Sequence, residues 1–422
     1  PNPASVYNSL GIALHNEGQF EAALNSFTRA IQLDADRAQF HSNCGNTLIV
    51  LKQFEAALAY YDHALRLQPH YADAYVNRGI ALQRLHRFDE VLPCYEQAIS
   101  LDAHNVAAHW NKSLALLASG HFKEGWPLYE WRLQAEDFAP RKLITNKPDW
   151  KSGAKKRTLV WSSQGLGDDL MFSMLLNEFN KKCQKLMVKV DARIIPLLQR
   201  SLPSDITLLA KEDKVDESLY DAHLPLESLC QYLRKDEKSF KRTTKGYIKD
   251  DKTRTHNIKQ ELKNSCAPNK KLCGISWRST NKQESYHRSI ALSEFIQGIK
   301  SADYEYISLQ YGTTPEEIEQ ARKVSNIRVI QCQSVDNSRD IDGLASLIQA
   351  CDIVISVDNS TVHLAGALGQ DVRILLPFAA DWRWQLGRSD SLWYASAKLY
   401  RQDKTMNWGR VFEQLKADLS NL

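Results

Sequence analysis

A short pattern recurs along the first third of the chain at a constant spacing. It appears as SLGIAL (9–14), NCGNTL (43–48), NRGIAL (77–82) and NKSLAL (111–116), so that Gly11, Gly45, Gly79 and Ser113 lie 34 residues apart. Other positions keep the same period: Ala23, Ala57 and Val91; Phe27, Tyr61 and Tyr95; Ala30, Ala64 and Ala98. Small residues let two helices approach closely, and an aromatic side chain on the second helix fills the gap to the next repeat. The pattern predicts stacked helical hairpins.

This spacing resembles the tetratricopeptide repeat (TPR) family over about residues 4–134. The fourth unit departs most, with Ser113 in place of glycine and Gly125 in place of alanine, and we interpret it as the junction with the next domain. The resemblance implies an α-helical TPR solenoid over 1–135 whose concave groove binds a peptide or protein segment. The alternative is that so few repeats serve as a spacer or a dimerisation arm.

Composition and charge narrow the class of protein. The 422 residues are 43% apolar and 25% charged, which is ordinary for globular domains, and the length predicts more than one of them. Residues 1–135 carry 10 Lys and Arg against 13 Asp and Glu, whereas residues 136–422 carry 44 against 37. That split is too weak to indicate a nucleic-acid partner, but it suggests that the second part handles an anion.

No segment has the character of a membrane span or a secretory signal. Apolar runs fall short of the roughly 20 residues that cross a bilayer. The first residues, PNPASVYNSL, lack a basic stretch followed by an apolar one. The eight cysteines have no C-x-x-C spacing and suit reduced thiols better than disulfides. We therefore expect a cytoplasmic chain without a membrane span.

After a linker at 136–156, short β-branched runs alternate with helical stretches. The candidate strands are TLVWSS, LMVKV, ITLLA, LCGISW, YISLQ, IRVIQ, DIVISV and VRILLP. Apolar strands alternating with helices predict parallel sheets covered by helices on both faces, here in two lobes. Ligands of such sheets bind at the carboxyl ends of the strands.

Two loops that follow strands carry the candidate site. In GLGDDL (165–170) the acidic residues open a helix, where a carboxylate acts either as a cap or as a positioned base. In DNSTVHLAG (358–366) a turn leads into a helix whose first backbone N–H groups, with hydroxyls beside them, can hold a phosphate without a metal. His363 lies about one turn in, and its alternative is a packing histidine.

These two loops together resemble the heptosyltransferase-type glycosyltransferases (glycosyltransferase family 9). More closely, the layout is similar to bacterial TPR proteins fused to that domain, through LPLESL (224–229), ISWRS (275–279), SLQYG (308–312) and PFAADWRW (377–384). The resemblance implies an α/β GT-B fold of two Rossmann-like lobes after the solenoid. The implied bounds are 157–265 for the N-terminal acceptor lobe, 266–400 for the C-terminal nucleotide-sugar lobe, and 401–422 for a C-terminal helix crossing back to the first lobe.

The resemblance also assigns roles to individual residues. Asp168 matches the catalytic carboxylate and is expected to be the general base, with Asp169 as the open alternative and Gly165 and Gly167 beside them on the acceptor side. The residues expected to bind the donor are Asp358, Ser360, Thr361, His363, Arg288, Arg278, Gln310, Glu316, Asp381 and Arg383. Of these, Gln310 and Glu316 are expected at the nucleoside, and Asp381 and Arg383 near the sugar.

Metal and cofactor are not expected. Asp340 and Asp342 form a D-x-D, but they precede a helical segment, so that capping is the better interpretation. Residues 234–271 hold 13 Lys and Arg against 5 Asp and Glu, which either attracts an anionic donor or is a solvated face.

The sequence therefore predicts an inverting, metal-independent glycosyltransferase that moves a sugar from a nucleotide-diphosphate donor to a protein Ser/Thr hydroxyl. The TPR groove would recruit the protein acceptor, with flagellin or another surface protein as candidates. One alternative is transfer to lipopolysaccharide or another glycan. The other is a non-catalytic TPR scaffold with an inactive transferase fold.

Overall fold

The structure is a computed structural model that describes residues 2–153, 155–240, 245–279, 288–312 and 314–420. The chain divides into two compact units, Pro1–Ala139 and Pro140–Leu422. The first unit is formed by helices, and the second is formed by parallel sheets with helices.

The first unit consists of consecutive antiparallel helix pairs. Its helices are α1 Pro3–Asn16, α2 Phe20–Leu33, α3 Ala38–Val50, α4 Phe54–Leu67, α5 Ala72–Arg84, α6 Phe88–Leu101, α7 Val106–Ala118 and α8 Phe122–Tyr129. The helices of a pair pack against each other, and the second helix of one pair packs against the first helix of the next. This is the predicted solenoid, and its core is continuous because each pair buries the open face of its neighbour.

The repeating glycine explains the close approach of the two helices in a pair. A Cβ atom at Gly45 would lie 2.5 Å from Cε1 of Tyr61, and one at Gly79 would lie 2.5 Å from Cε1 of Tyr95. The aromatic ring thus covers the glycine of its own repeat, and it also reaches the core of the following one. We expected only the second contact.

A second periodic feature was not visible in the sequence. The turn inside each helix pair contains a residue with positive φ at Gly18, Lys52, His86 and Gly120, again 34 residues apart. The backbone needs this left-handed residue to leave one helix and enter the next. Only two of the four positions carry glycine, so composition gave no signal for the other two.

The second unit contains two parallel sheets. The first has the order β3-β2-β1-β4, with β1 Arg157–Trp161, β2 Lys185–Val190, β3 Thr207–Ala210 and β4 Ala222–Pro225. The second has the order β10-β9-β8-β5-β6-β7, with β5 Lys271–Ser276, β6 Tyr304–Ser308, β7 Val329–Ile330, β8 Ile353–Val357, β9 Val372–Leu376 and β10 Ala397–Arg401. The α/β prediction is confirmed, and β4 and β10 are strands that the sequence analysis missed.

Helices cover these sheets. They are α9 Leu166–Ser173, α10 Leu176–Asn180, α11 Ile195–Ser201, α12 Cys230–Leu233, α13 Lys252–Ser265, α14 Leu292–Ile299, α15 Pro315–Ser325, α16 Ile341–Ala350, α17 Ser360–Ala367 and α18 Gly409–Leu419. The register is set by apolar pairs such as Leu159 opposite Met187 and Cys273 opposite Tyr306.

The strand orders locate the crevices. Counted from β5, the second sheet runs 3-2-1-4-5-6, and the order reverses between β5 and β8. In the first sheet the reversal falls between β1 and β4. Ligands of doubly wound sheets bind outside the carboxyl ends of the strands at such reversals, so a ligand is expected at the segments after β1, β5 and β8.

Two expectations about the lobes are wrong. The C-terminal helix α18 does not cross back to the first sheet but packs on α14 and β10, where Phe412 covers Gly298. Helix α13, which we placed with the first lobe (157–265), packs on α16 of the second. Both helices bury apolar side chains, including Leu415 and Ile258, and sequence spacing does not reveal which lobe receives them.

Candidate functional site

The segments after β1 and β8 meet at one cavity of about 580 Å³ within the second unit. Its wall from the first sheet includes Gln164, Gly165, Leu166, Gly167, Asp168 and Arg193, and its wall from the second includes Ser279, Arg288, Tyr311, Asn337, Ser338, Asp358, Asn359, Ser360, His363, Asp381 and Arg383. The structure therefore brings together most of the predicted site residues. The sequence analysis did not predict Gln164, Arg193, Tyr311 or Asn337. Gln164 and Tyr311 lie beside or within motifs of which other residues were chosen, and Arg193 and Asn337 belong to no motif.

The two neighbouring acidic residues of α9 have different environments. Asp168 lines the cavity and pairs with the guanidinium of Arg383. Asp169 is fully buried on the other side of the helix, where its carboxylate accepts from Ser162 Oγ and from Asp191 N at 3.0 Å and pairs with Lys211 Nζ at 3.0 Å. Asp168 is thus the carboxylate that faces the cavity, and Asp169 anchors the helix.

Burial governs the ionisation of Asp169. Loss of hydration raises the pKa of this carboxyl to about 7, although the positive charge of Lys211 and the hydrogen bond from Ser162 work in the opposite direction. The group therefore titrates near neutral pH while remaining out of reach of the cavity.

Of the two glycines before Asp168, only Gly167 is required by packing. A Cβ atom there would lie 3.0 Å from Cδ2 of His363 and 3.6 Å from Cα of Ser360. Gly167 therefore permits α9 and α17 to approach closely, and these two helices are in direct contact. At Gly165 an added Cβ would meet nothing nearer than the Asp168 carboxylate at 3.9 Å.

The turn after β8 is organised by Asn359. Its Oδ1 accepts from Thr361 N at 2.9 Å and caps α17, while its Nδ2 donates to Ser276 Oγ at 2.8 Å and to the carbonyl of Arg278 at 3.0 Å. The side chain thereby ties the end of β8 to the end of β5. Because the cap occupies the Thr361 amide, the helix start offers an anion fewer free amides than we expected.

Thr361 also differs from its predicted role. It is buried and does not line the cavity, whereas Ser360 and His363 on the same helix do. One residue along a helix turns the side chain by about 100°, and this rotation points Thr361 away from the cavity that Ser360 lines.

His363 is held by aromatic side chains. Its Nδ1 lies 2.8 Å from the hydroxyl of Tyr394, and its ring stacks on Trp384 with the centroids 5.4 Å apart. Burial lowers the pKa of His363, although the carboxylate of Asp358 works against this effect. The imidazole is therefore neutral at physiological pH and can offer its second nitrogen to the cavity.

An alternating series of charges runs along the cavity wall. Asp168 pairs with Arg383, Arg383 Nη1 lies 2.7 Å from Asp381, Arg288 Nη2 lies 3.5 Å from Asp381, and Arg288 Nη1 lies 3.2 Å from Asp358. Burial opposes ionisation of Asp381, but the charges of Arg383 and Arg288 outweigh it and hold the pKa of that carboxyl below its usual range. The predicted residues Arg288, Asp381 and Arg383 thus form one network.

The residues predicted near a nucleoside lie elsewhere. Gln310 is buried as a structural clamp, since its Oε1 accepts from the backbone amides of Trp277 at 2.9 Å and Arg278 at 3.0 Å. Glu316 is exposed in the first turn of α15. Its neighbour Glu317 instead accepts from Trp277 Nε1 at 2.7 Å and pairs with Arg278 Nε at 3.0 Å.

These contacts belong to a second cavity of about 460 Å³. It is lined by Trp277, Arg278, Ser279, Ser289, Ile290, Ala291, Leu292, Ser293, Glu317, Gln320 and Ala321. Ser279 lines both cavities, so the two are neighbours. Arg278 therefore faces this second cavity, and Glu317, the neighbour of the predicted Glu316, is the carboxylate that lines it.

Asp340 and Asp342, which form the D-x-D motif, make structural contacts within the protein. Asp340 Oδ1 accepts from Gly343 N at 2.8 Å and caps α16, and the carboxylate also pairs with Arg254. Asp342 pairs with Arg200. Within the ranges that the structure describes, no group of three His, Cys, Asp or Glu side chains could hold a metal ion, all eight cysteines are free, and no helix is long and apolar enough to cross a membrane.

Comparison with known proteins identifies the first unit. The tetratricopeptide repeat family matches residues 38–71 and 72–105, and the TPR repeat family matches residues 11–49. The N-terminal unit is built of tetratricopeptide repeats. TPR repeats are a protein-interaction fold, and this agrees with the resemblance drawn from the 34-residue period.

One curated relative extends beyond the repeats. Protein FlbA of Caulobacter vibrioides is 26% identical over 281 residues, which cover 62% of this chain and 46% of FlbA. The chain thus spans about half the length of this relative.

Among solved structures, the chain is similar to TPR domains. The Arabidopsis OM64 TPR domain is 25% identical, with 27% of this chain and 93% of that chain covered and a TM-score of 0.27. The first TPR of Spaghetti (RPAP3), bound to an HSP90 peptide, is 24% identical, with 28% and 92% covered and a TM-score of 0.27.

Proposed function

We propose that the second unit is an inverting, metal-independent glycosyltransferase with the GT-B architecture, which transfers a sugar from a nucleotide-diphosphate donor to a Ser or Thr hydroxyl of a protein. The observation that carries this proposal is the shared cavity. A carboxylate from the first sheet, Asp168, faces two arginines and a helix start from the second sheet across one space of about 580 Å³.

In the proposed reaction, the wall from the first sheet supplies the base and the wall from the second sheet stabilises the leaving group. The carboxylate of Asp168 takes the proton of the acceptor hydroxyl while that oxygen attacks the anomeric carbon of the sugar. The bond from the anomeric carbon to the diphosphate oxygen breaks, and its electron pair stays on the diphosphate. The attacking oxygen enters on the face opposite the leaving group, so the configuration at the anomeric carbon is inverted.

The second-sheet wall would stabilise the leaving diphosphate. Arg288 and Arg383 can donate forked hydrogen bonds to phosphate oxygens, and the positive end of the α17 dipole at Ser360 adds to their effect. Neutral His363 can donate one further hydrogen bond. Stabilising charge where it develops is the largest contribution that such a site can make to rate.

The repeats supply the reason for a protein acceptor. TPR units bind extended or helical peptide segments along their concave face, and the first unit consists of such repeats. We propose that this unit recruits the acceptor polypeptide, with flagellin or another surface protein as the first candidates to examine. The donor is a nucleotide sugar, and the protein needs no resident cofactor for this reaction.

The test begins with the donor and continues with Asp168. A thermal-shift screen of nucleoside diphosphates and nucleotide sugars identifies the donor, because a ligand that binds the folded state raises the melting temperature. Transfer is then measured by the mass increase of the acceptor protein. Asp168→Asn should lower the rate by about 10²–10⁴-fold, while Glu212→Gln, at an exposed position, should leave it unchanged.

Two outcomes would refute the proposal. If Asp168→Asn transfers sugar at the rate of the unaltered protein, Asp168 is not the base. If no nucleoside diphosphate or nucleotide sugar changes the melting temperature, the cavity is not a donor site, and the non-catalytic scaffold becomes the better interpretation.

A further inference from the structure

A third cavity, of about 630 Å³, lies against the first sheet. It is lined by Arg141, Lys142, Leu143, Ile144, Trp161, Ser162, Ser163, Gln164, Gly165, Lys189 and Lys211. Gln164 and Gly165 also line the cavity that contains Asp168, so one short loop separates the two spaces. We call this third space the basic pocket.

Four cations converge on the basic pocket from three separate segments. Lys211 Nζ is held by Asp169 at 3.0 Å and by the carbonyl of Gln164 at 2.8 Å. Over the described ranges, the side chains of Arg141, Lys142 and Lys189 make no ion pair or hydrogen bond. Lys211 thus has a counter-charge, whereas the other three cations bring like charges to one pocket, and such an arrangement favours an anionic ligand.

Residues 141–144 form one rim of this pocket, and the segment is fixed at two points. Leu143 packs against the apolar cluster of Leu159, Met187 and Tyr220, and Thr145 Oγ1 accepts a hydrogen bond from the Tyr220 hydroxyl at 2.8 Å. Between them, Ile144 is 98% exposed. Ile144 also lines the pocket, so a ligand held by the cations can contact it.

We propose that the basic pocket binds an acidic segment of the acceptor polypeptide, with carboxylates at Lys142 and Lys189 and an apolar side chain on Ile144. This inference rests on the proposed function and names the chemistry of its acceptor. The pocket lies on the first-sheet side of Asp168, whereas the arginines for the donor lie on the second-sheet side. A group bound there is therefore separated from the cavity that contains Asp168 only by the loop of Gln164 and Gly165.

The test compares two synthetic peptides on the full chain. Fluorescein-labelled EELSTLEE and its uncharged counterpart QQLSTLQQ are titrated by fluorescence anisotropy. The acidic peptide should bind at least about tenfold more tightly, and its affinity should fall as salt is added, because paired charges near a surface are screened. Equal affinities of the two peptides overturn the proposal whatever the variants show.

Two protein variants locate the binding. Lys142→Gln combined with Lys189→Gln removes two unpaired cations and should weaken the acidic peptide by about tenfold. The matched control, Lys181→Gln combined with Lys182→Gln, removes two exposed lysines elsewhere and should leave the affinity unchanged. If both double variants bind like the unaltered protein, the acidic peptide binds elsewhere and the basic pocket is not its site.

A competition experiment tests whether the carboxylate that the basic pocket binds belongs to the acceptor polypeptide or to an acidic donor sugar. Free N-acetylneuraminic acid should not displace the peptide at millimolar concentration, and displacement would assign the pocket to an acidic sugar instead. Donor binding is measured separately by thermal shift. A failure of the glycosyltransferase proposal therefore appears in the donor screen, and a failure of this one appears in the anisotropy.

Discussion

The buried carboxyl of Asp169 predicts an unusual dependence of stability on pH. Its pKa is raised from 3.8 to about 7 by burial, so the folded protein binds a proton between these values more readily than the unfolded chain does. The stabilisation is complete below pH 4 and is lost as the pH rises through 7. Asp169→Asn removes the titration but keeps the shape of the side chain.

The magnitude follows from the two pKa values. At pH 5 the proton bound to folded Asp169 contributes about 3 kcal/mol to the free energy of unfolding, and at pH 8 it contributes almost nothing. The strength of the pair with Lys211 varies with the ionisation of Asp169, and this variation is already contained in the pKa of about 7. Asparagine carries no titratable group, so it adds only an offset that is independent of pH. The stability of Asp169→Asn relative to the unaltered protein should therefore rise by about 3 kcal/mol from pH 5 to pH 8.

Hydrogen exchange on the full chain measures this difference locally. Peptides covering β1 and β2, whose ends contact Asp169 through Ser162 and Asp191, report the opening free energy once intrinsic exchange rates are corrected for pH. Glu212→Gln serves as the exposed control. Parallel pH profiles for Asp169→Asn and the unaltered protein would show that Asp169 has an ordinary pKa and that the argument from burial is wrong.

Three further predictions concern packing and metal. Gly79→Val should lower the stability of the TPR unit by about 2 kcal/mol, because the side chain collides with the Tyr95 ring; exposed Ala107→Val is the control, and equal melting temperatures would contradict the packing argument. Gly246→Ala should destabilise the second unit by at least about 2 kcal/mol, since its Cβ meets the rigid backbone of Leu368, whereas Gly409→Ala meets only the Asn407 side chain. Dialysis against EDTA should leave sugar transfer unchanged, because Asp340 and Asp342 are occupied by arginines; a loss that Mn²⁺ or Mg²⁺ restores would require a metal.

The periodic features of the sequence predicted the fold well. A glycine and an aromatic residue recur together, as at Gly45 and Tyr61, because one packs on the other in every full repeat. The repeat period in the sequence therefore reflects a packing contact. In the second unit the apolar runs predicted most strands, but β4, with the sequence AHLP, has neither alternation nor length. Its pairing with β1 depends on the rest of the sheet.

The candidate site was harder to predict in detail. Asp168 and Asp169 are indistinguishable by type, and only the packing of α9 decides which one faces the cavity. Gln310 and Glu316 follow a strand as site residues do, yet one is a buried clamp and the other is exposed. Position after a strand thus predicts the neighbourhood of a residue, whereas the direction of its side chain depends on contacts distant in sequence.

The alternating charges along the cavity wall bear on the order in which substrates bind. The network contains three carboxylates, those of Asp168, Asp381 and Asp358, but two guanidiniums, those of Arg383 and Arg288. A phosphate that enters the network therefore competes with carboxylates for the same guanidiniums. In the proposed reaction, a donor that engages Arg383 releases Asp168 to accept a proton. Kinetics should then show ordered addition, with the nucleotide sugar bound before the acceptor, since the base becomes available only in the donor complex.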